Sequence, residues 1–595
     1  MAIGKLLNAN PTPNILIIIT DQERALGEWP KHYRQTLAEN LAGMKALKQN
    51  GLSFDHAYTA SCMCSPSRAA FQTSQYPIVT GCTTTGSAVL PPPSLFPNLA
   101  SVVSAAKYGC YWIGKWHLLG PNEPGSTSGD LTPWGYQVFN SSLAWDPPDG
   151  GINLGQTYLG GGTQGPMPTN QNDQRTLANA MSFLANPPAA PWCLVVSLVN
   201  PHDAHLGFIA NPQDTTQMLD AVFYDSSLWT ASAGSGVTDV PLPPDFTQDL
   251  STMPRGQAFY TWATQAAKHA QPQDFANFYA YLTMYVDGQI NSLLDVMYAN
   301  QQDDLRNNTL VVRFADHGEM GLAHGLVEKF VNAYGQSTHV PLVFSNPIAW
   351  EKAHSSDQIA STVDLLPTLA DMLGVEDQFV GKFAGTSLYS HLDGIKEETQ
   401  RFVHYTYDDI SFDNVGSVNP PGVIRTIRSR DWVYSVYLDQ VCSRKSGHSD
   451  ADWEMYDLRN DPTETKNLAG TGLKEQARLD RELQRQMIRK GTAPAWYPKH
   501  WPPQATANSR GGPPPAGTGT LIHAVEDIPG LSPDHIASLR YVGIRTTDQL
   551  LARGATAEAR DKLAAVVAVD AATLGRWIAA ARDMATADEV EGTTW

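Results

Sequence analysis

Asn14-Ile15-Leu16-Ile17-Ile18-Ile19-Thr20-Asp21-Gln22 is an unbroken apolar, largely β-branched run that stops in a carboxylate and an amide. A strand with one face in water alternates apolar and polar side chains. A run without alternation suits a strand covered on both faces, as in a parallel sheet flanked by helices. In open α/β sheets ligands gather beyond the carboxyl ends of the strands, so Asp21 stands where a metal ligand would stand. Residues 111–114, 192–199, 310–315 and 340–344 are further runs of the buried-strand type. Three of them lead into polar clusters: Gly114-Lys115-Trp116-His117, Asn200-Pro201-His202-Asp203 and Asp316-His317-Gly318-Glu319. With Asp21-Gln22, four clusters converge on one sheet edge. A capped strand end explains any one of them, but not the convergence.

Outward from these strands, residues 37–50 read as a helix closed by Gly51, and helices also fit residues 175–185, 275–299 and 364–373. The stretches 121–170 and 205–257 are rich in Gly, Pro and aromatics with weak periodicity. Loops this long are commonly lids or pocket walls, which makes Trp134, Tyr136, Trp145, Tyr158, Phe208, Tyr224 and Trp229 candidates for lining a pocket. From Arg401 the character changes to short alternating strands, 432–438 and 453–458, and a helix over 473–489. That pattern fits a smaller α+β unit with an antiparallel sheet.

The division expected is therefore a large α/β domain over 1–400, an α+β subdomain over 401–500, a Pro/Gly linker over 501–520 and a helical module over 521–595. The module's Ile528-Pro529-Gly530 and Tyr541-Val542-Gly543 resemble helix-hairpin-helix turns, a fold often associated with DNA. Its charge disagrees, because residues 521–595 carry seven Lys or Arg against eleven Asp or Glu. Without a basic face, phosphate-backbone binding is not expected, and a protein-contact or oligomerisation role is.

The net charge of −18 over 595 residues argues against a general nucleic-acid or anionic-membrane binder. Residues 1–13 hold no apolar core of a signal peptide, and no stretch approaches the roughly 20 apolar residues of a membrane span. Six cysteines are too sparse for a disulfide framework, which fits a reducing compartment and a cytoplasmic location.

Ser61-Cys62-Met63-Cys64-Ser65-Pro66-Ser67-Arg68 sets Cys64 just ahead of an expected helix start with Pro66 in its first turn. Such a turn aims backbone N–H groups and the positive helix end at an anion, and Arg68 adds a planar donor fork. Cys64-Ser65-Pro66-Ser67-Arg68 matches the C-x-P-S-R core of the type I sulfatases, members of the alkaline phosphatase superfamily. Residues 453–468 resemble the C-terminal subdomain of the same family, so the likeness runs from about 13 to 497.

The resemblance implies a large mixed, mostly parallel sheet flanked by helices and a formylglycine nucleophile made from Cys64, not Cys62, by a formylglycine-generating enzyme. It implies one divalent metal, Ca²⁺ or Mn²⁺ with Mg²⁺ also fitting, at Asp21, Gln22, Cys64, Asp316 and His317. Arg68 would hold the nucleophile's hydroxyl group, Lys115 would neutralise developing charge and His117 would serve as base. His202 and Lys329 would bind the anion, one of them protonating the leaving oxygen. Gln22 and His317 stand where Asp and Asn are usual, a combination that resembles the choline-sulfatase and phosphonate monoester hydrolase branch. Hydrolysis of a small-molecule sulfate monoester, aryl or small alkyl, is the function implied. The alternatives are a phosphonate monoester or phosphodiester hydrolase with the same site, and a non-catalytic binding protein built around the C-terminal module. A homo-oligomer is plausible on the strength of the long loops and the appended module.

Overall fold

The computed structural model describes residues 2–118 except 86 and 87, then 131–137, 139, 144–145, 171–205, most of 232–257, 272–409, 423–438 and 451–494. Within 528–591 it describes mainly 557–566 and 569–591. The first eight strands are β1 (Asn14–Asp21), β2 (Gly51–Tyr58), β3 (Gly109–Lys115), β4 (Ala144–Trp145), β5 (Trp192–Pro201), β6 (Thr309–Ala315), β7 (Leu342–Ser345) and β8 (His354–Ser361). They form one sheet in the order β4-β3-β5-β1-β6-β7-β2-β8. Within it β3, β5, β1 and β6 run parallel, so their carboxyl ends share an edge. β7 is antiparallel to both β6 and β2, which returns β2 to the common direction.

β1 is buried along its whole length. Its alternate side chains feed two cores: Ile15, Ile17 and Ile19 face one cluster, Leu16 and Ile18 the other. Helices α1 (Ala42–Gln49), α2 (Cys64–Thr73), α3 (Leu99–Ala105), α4 (Gln171–Ala185), α5 (Pro272–Ala299) and α6 (Leu365–Met372) cover the sheet. α1, α4 and α5 contribute Leu47, Phe183 and Ile290 to one core, while α2, α3 and α6 contribute Phe71, Val103 and Leu369 to the other. A strand between two helical layers has no wet face, which is why the run 15–19 carries no polar residue.

A second sheet holds β9 (Val403–Tyr407), β10 (Val423–Arg428), β11 (Trp432–Leu438) and β12 (Asp452–Asp457), all antiparallel in the order β12-β11-β10-β9. Helix α7 (Lys474–Lys490) packs Leu479, Leu483 and Met487 against Ile427, Val436 and Met455. The edge strand β9 is joined to the larger domain: Thr406 N–H donates to Ala60 O at 3.0 Å, bridging β9 to Ser61. Arg428 adds an ion pair to Glu464 at 2.8 Å and a bond to Ala333 O at 3.0 Å. Helices α8 (Ala557–Val566) and α9 (Ala571–Glu591) belong to a separate apolar cluster around Leu539, Leu550, Leu574 and Trp577. The linker over 501–520 lies outside the described residues.

Three elements differ from the sequence reading. Residues 37–50 are two helices, Arg34–Asn40 and α1, broken at Leu41 with φ −94° and ψ 80°. Gly51 opens β2 rather than closing a helix. β8 was not expected, because its first half is exposed and polar and only its second half enters the core. The described cysteines, 62, 64, 82, 110 and 193, form no disulfide. No helix among the described residues is long and apolar enough to cross a membrane.

Candidate active site

The strand ends deliver the polar clusters to one place. Asp21 is the last residue of β1 and Lys115 the last of β3, His202 follows β5 directly, and Asp316 and His317 follow β6. Cys64 is the first residue of α2, so the helix starts at the cysteine itself, not after it. Sharp turns set these residues: Gln22 (φ 66°), Met63 (φ 72°) and His117 (φ 61°) all lie at positive φ. For side chains other than glycine that conformation costs on the order of 1 kcal/mol or more, and such strain clusters at functional sites. Asp21, Gln22, Cys64, Arg68, Lys115, His117, His202, Asp316, His317 and Lys329 are all buried, none more than 3 % exposed.

Ligand atoms of Asp21, Cys64, Asp316 and His317 lie within 4.8 Å of one another. Cys64 Sγ is 3.5 Å from Asp21 Oδ1 and 3.3 Å from His317 Nε2. His317 Nδ1 lies 3.0 Å from Gly318 O, which leaves Nε2 to face the cluster. Burial and the neighbouring Asp21 push Asp316 up to about 8. Burial acts in the same sense on Asp21, but Lys115, His202, Arg68 and His317 outweigh it and hold that carboxylate well below its usual range. Burial, then Lys329, pushes His317 down to about 3, so its imidazole is neutral. Two crowded carboxylates, a neutral imidazole and a thiol form a set that a divalent cation fits, because it would let both carboxylates stay ionised.

Gln22 sits between opposite charges. Its Nε2 donates to Glu319 Oε2 and its Oε1 accepts from Lys329 Nζ. An ammonium can only donate and a carboxylate only accept, so these partners fix which way the amide points. Lys329 also pairs with Glu328 at 2.8 Å. Burial opposes the charge on Lys329, yet Glu328, Cys64 and Asp21 raise its pKa above the ordinary lysine value. Burial, with Glu328 nearby, lifts Glu319 to about 7.

Arg68 lies one turn beyond Cys64 on α2. Its terminal nitrogens reach Asp21 at 2.9 Å, Asp316 at 3.0 Å, Lys115 O at 2.8 Å and Ser197 Oγ at 3.0 Å. Its Nε–H alone has no acceptor among the described residues. Lys115 Nζ is 2.7 Å from Asp21 Oδ2. Burial, then Lys115, holds His117 well below the ordinary imidazole value. The two motif serines knit the strand ends together: Ser65 Oγ donates to His117 O at 2.7 Å and Ser67 Oγ to Asp316 O at 2.6 Å.

The structure also separates the two motif cysteines. Burial pushes both thiols up to about 12. Cys62 faces Ser337 O at 3.2 Å within an apolar cluster of Val331, Ala333 and Tyr405, whereas Cys64 faces the carboxylates.

Supporting residues went unread in the sequence. Asp173 on α4 accepts from Val199 N at 2.7 Å and Asn200 N at 3.0 Å, two residues before His202. Tyr279 and Glu319 brace Gln22. Glu319 is part of the Asp-His-Gly-Glu run, but nothing in the sequence tied it to Gln22. Of the aromatic candidates, Trp134 and Tyr136 pack with Trp112 and Trp116 in the core, Tyr136 lying 5.7 Å from Trp112 and 5.4 Å from Trp116. The other aromatic candidates, including the side chain of Trp145, lie outside the described residues.

Residues 13–375 match the sulfatase family model, residues 323–492 the C-terminal domain of N-sulphoglucosamine sulphohydrolase, and residues 529–593 a domain of unknown function, DUF4332. A Delta 4,5-hexuronate-2-O-sulfatase from Bacteroides thetaiotaomicron is 27 % identical over 488 residues, covering 78 % of this chain and 86 % of the relative. A choline-sulfatase from Rhizobium meliloti is 26 % identical over 478 residues, covering 77 % and 82 %. In fold, the chain resembles a phosphonate monoester hydrolase from Silicibacter pomeroyi with a TM-score of 0.55 at 21 % identity, covering 80 % and 96 %. The sulfatase model spans more than half of the sequence and contains every residue of the cluster just described, so the chain belongs to the sulfatase family, with its alkaline-phosphatase-like fold, and is a sulfuric ester hydrolase.

Proposed function

We propose that this enzyme hydrolyses sulfate monoesters of small aryl or alkyl alcohols through a nucleophile formed at Cys64, beside one divalent cation. The observation that carries the reading is the meeting of Cys64 Sγ with Asp21 and His317 at 3.5 and 3.3 Å, inside a ring of buried cations. A buried thiol pushed up to about 12 is uncharged at neutral pH and a weak nucleophile, so the reading gives the attack to the formylglycine that a maturing enzyme would make at this position, not to the thiol itself. The modified residue would supply a geminal diol, with one hydroxyl to displace the alcohol from sulfur and a second whose deprotonation would release sulfate.

Asp21, Gln22, Asp316 and His317 would hold the cation, Ca²⁺ or Mn²⁺ with Mg²⁺ also suitable. When bound it would supply Lewis-acid polarisation of the sulfuryl oxygens. Arg68 keeps its Nε–H for the hydroxyl of the modified residue, since its other donors are engaged by protein. His117, held neutral, accepts the proton of the second hydroxyl. Lys115 offsets charge at the nucleophile. Lys329, held charged, binds the anion together with His202, and one of the two protonates the leaving oxygen.

We assign catalysis to 1–400 and support to 401–500, with 501–520 as linker and 521–595 as an appended contact module. We place the enzyme in the cytoplasm, on its cysteine usage.

A second reading, hydrolysis of phosphonate monoesters or phosphodiesters, is favoured by one feature: neutral Gln22 and His317 leave only Asp21 and Asp316 as carboxylates around the cation. Turnover of 4-nitrophenyl sulfate and of a 4-nitrophenyl phosphonate monoester by the same preparation decides between them. The sulfate is expected to have the higher kcat/KM, and a reversal would establish the second reading. Mass analysis of the peptide containing Cys64 tests the nucleophile, since fully active enzyme with an unmodified thiol would refute it.

A further inference from the structure

We propose that Tyr279, on helix α5, is the positioning residue that holds Gln22 in its cation-binding conformation. This rests on the reading of Asp21, Gln22, Asp316 and His317 as a cation site. Gln22 turns the chain at the end of β1 with φ 66°, a left-handed conformation that a glutamine adopts only when its surroundings impose it. The Tyr279 hydroxyl spans that turn. It donates to Gln22 O at 2.9 Å and accepts from Arg24 N–H at 3.1 Å, so one oxygen grips the backbone on both sides of Glu23. Both capacities of the phenol are used on this turn.

The phenol is itself held in place. Its ring stacks on Trp29 at 5.0 Å with an interplanar angle of 6°, and the Arg24 guanidinium lies 4.2 Å from the Trp29 ring and 5.3 Å from that of Tyr279. Arg24 Nη1 donates to Met320 O at 3.1 Å, which ties this assembly to the loop bearing His317 and Lys329. A turn released from the hydroxyl relaxes toward extended backbone, and the Gln22 amide leaves its place between Lys329 and Glu319. Groups one shell away from a metal commonly set its affinity by tenfold or more through the orientation of a ligand.

Tyr279→Phe removes only the hydroxyl and keeps the stacked ring. After chelation and dialysis, titration with Mn²⁺ is expected to give a Kd about tenfold weaker for Tyr279→Phe than for the wild type. Tyr76→Phe is the control, because Tyr76 is also buried and its hydroxyl donates to His404 O at 3.2 Å, away from the site. That variant is expected to lose a comparable few degrees of melting temperature with an unchanged Kd. An unchanged Kd in Tyr279→Phe, or equal weakening in Tyr76→Phe, overturns the proposal while leaving the cation site standing. No Mn²⁺ uptake by the wild type overturns the cation site and the proposal together.

A further measurement needs no variant. Hydrogen exchange of the segment 20–26 in wild-type protein is expected to be slow with and without Mn²⁺, because the tyrosine presets the turn. Protection that arises only when Mn²⁺ is added would show that the ion, not Tyr279, orders it.

Discussion

Cys62 and Cys64 differ by two positions and share the same burial, yet the fold gives them opposite company. Cys62 closes an apolar cluster with Tyr405 and Tyr407 of β9, while Cys64 opens α2 against Asp21 and His317. Cys62→Ala is therefore expected to keep turnover within about threefold and to cost about 1 kcal/mol of stability, as removal of one small buried group usually does. Cys64→Ala is expected to keep the fold and lose turnover by about a thousandfold or more, the scale of losing a covalent nucleophile. Parallel assays of sulfate ester turnover and thermal unfolding check both, and equal losses in the two variants would undo the distinction. That Cys64, Arg68, Asp21, Asp316 and His317 come together was legible from the motif and the strand ends, because each is a chemistry-bearing residue placed at the carboxyl edge of the sheet. Ser65, Ser67, Asp173, Tyr279 and Glu319 were not legible. They act by bonding to backbone or to residues up to 297 positions away, as Gln22 does with Glu319, and no local pattern records that.

At the scale of elements, the site depends on how closely β3 approaches β5. Gly114 has φ 102°, and a Cβ there would overlap the carbonyl of Ser197 on β5. Ser197 is also the residue whose hydroxyl receives Arg68 Nη1 at 3.0 Å. Gly114→Ala must either push the strands apart or change its backbone conformation. It is expected to cost roughly 3 kcal/mol and to displace Lys115, with turnover lost together with stability. Denaturant unfolding and activity of the same preparation check this, and a fully active, fully stable variant would show that the strands have slack. The buried strands β1, β3, β5 and β6 were readable because a strand between two helical layers needs an unbroken apolar run. β8 was hidden, since an edge strand whose first half, His354-Ser355-Ser356-Asp357, lies in or near water needs no such run.

For the whole molecule, the question is which parts the site needs. The second sheet is not a detachable appendage, because β9 pairs with Ser61, three residues before Cys64, and the pair Arg428–Glu464 bonds to Ala333 and Gly335 of the larger domain. The C-terminal module is different. Among the described residues, its apolar cluster is made only of residues between 528 and 584, with no member from either sheet. A core that is closed on itself folds and unfolds with little reference to its neighbour. The change of composition at 501–520 is the sequence's signal for a linker there, whereas the acidic balance of 521–595 argues only against a phosphate-backbone partner. A chain ending at residue 494 is therefore expected to retain Mn²⁺ binding and sulfate ester turnover within about threefold of the full chain, as independent units predict. If the module serves contact between copies, light scattering will show the full chain as an assembly and the shortened chain as a monomer. Loss of turnover in a shortened chain that still binds Mn²⁺ would instead mean that the module reaches the substrate, and the assignment of catalysis to the first 400 residues would have to be redrawn.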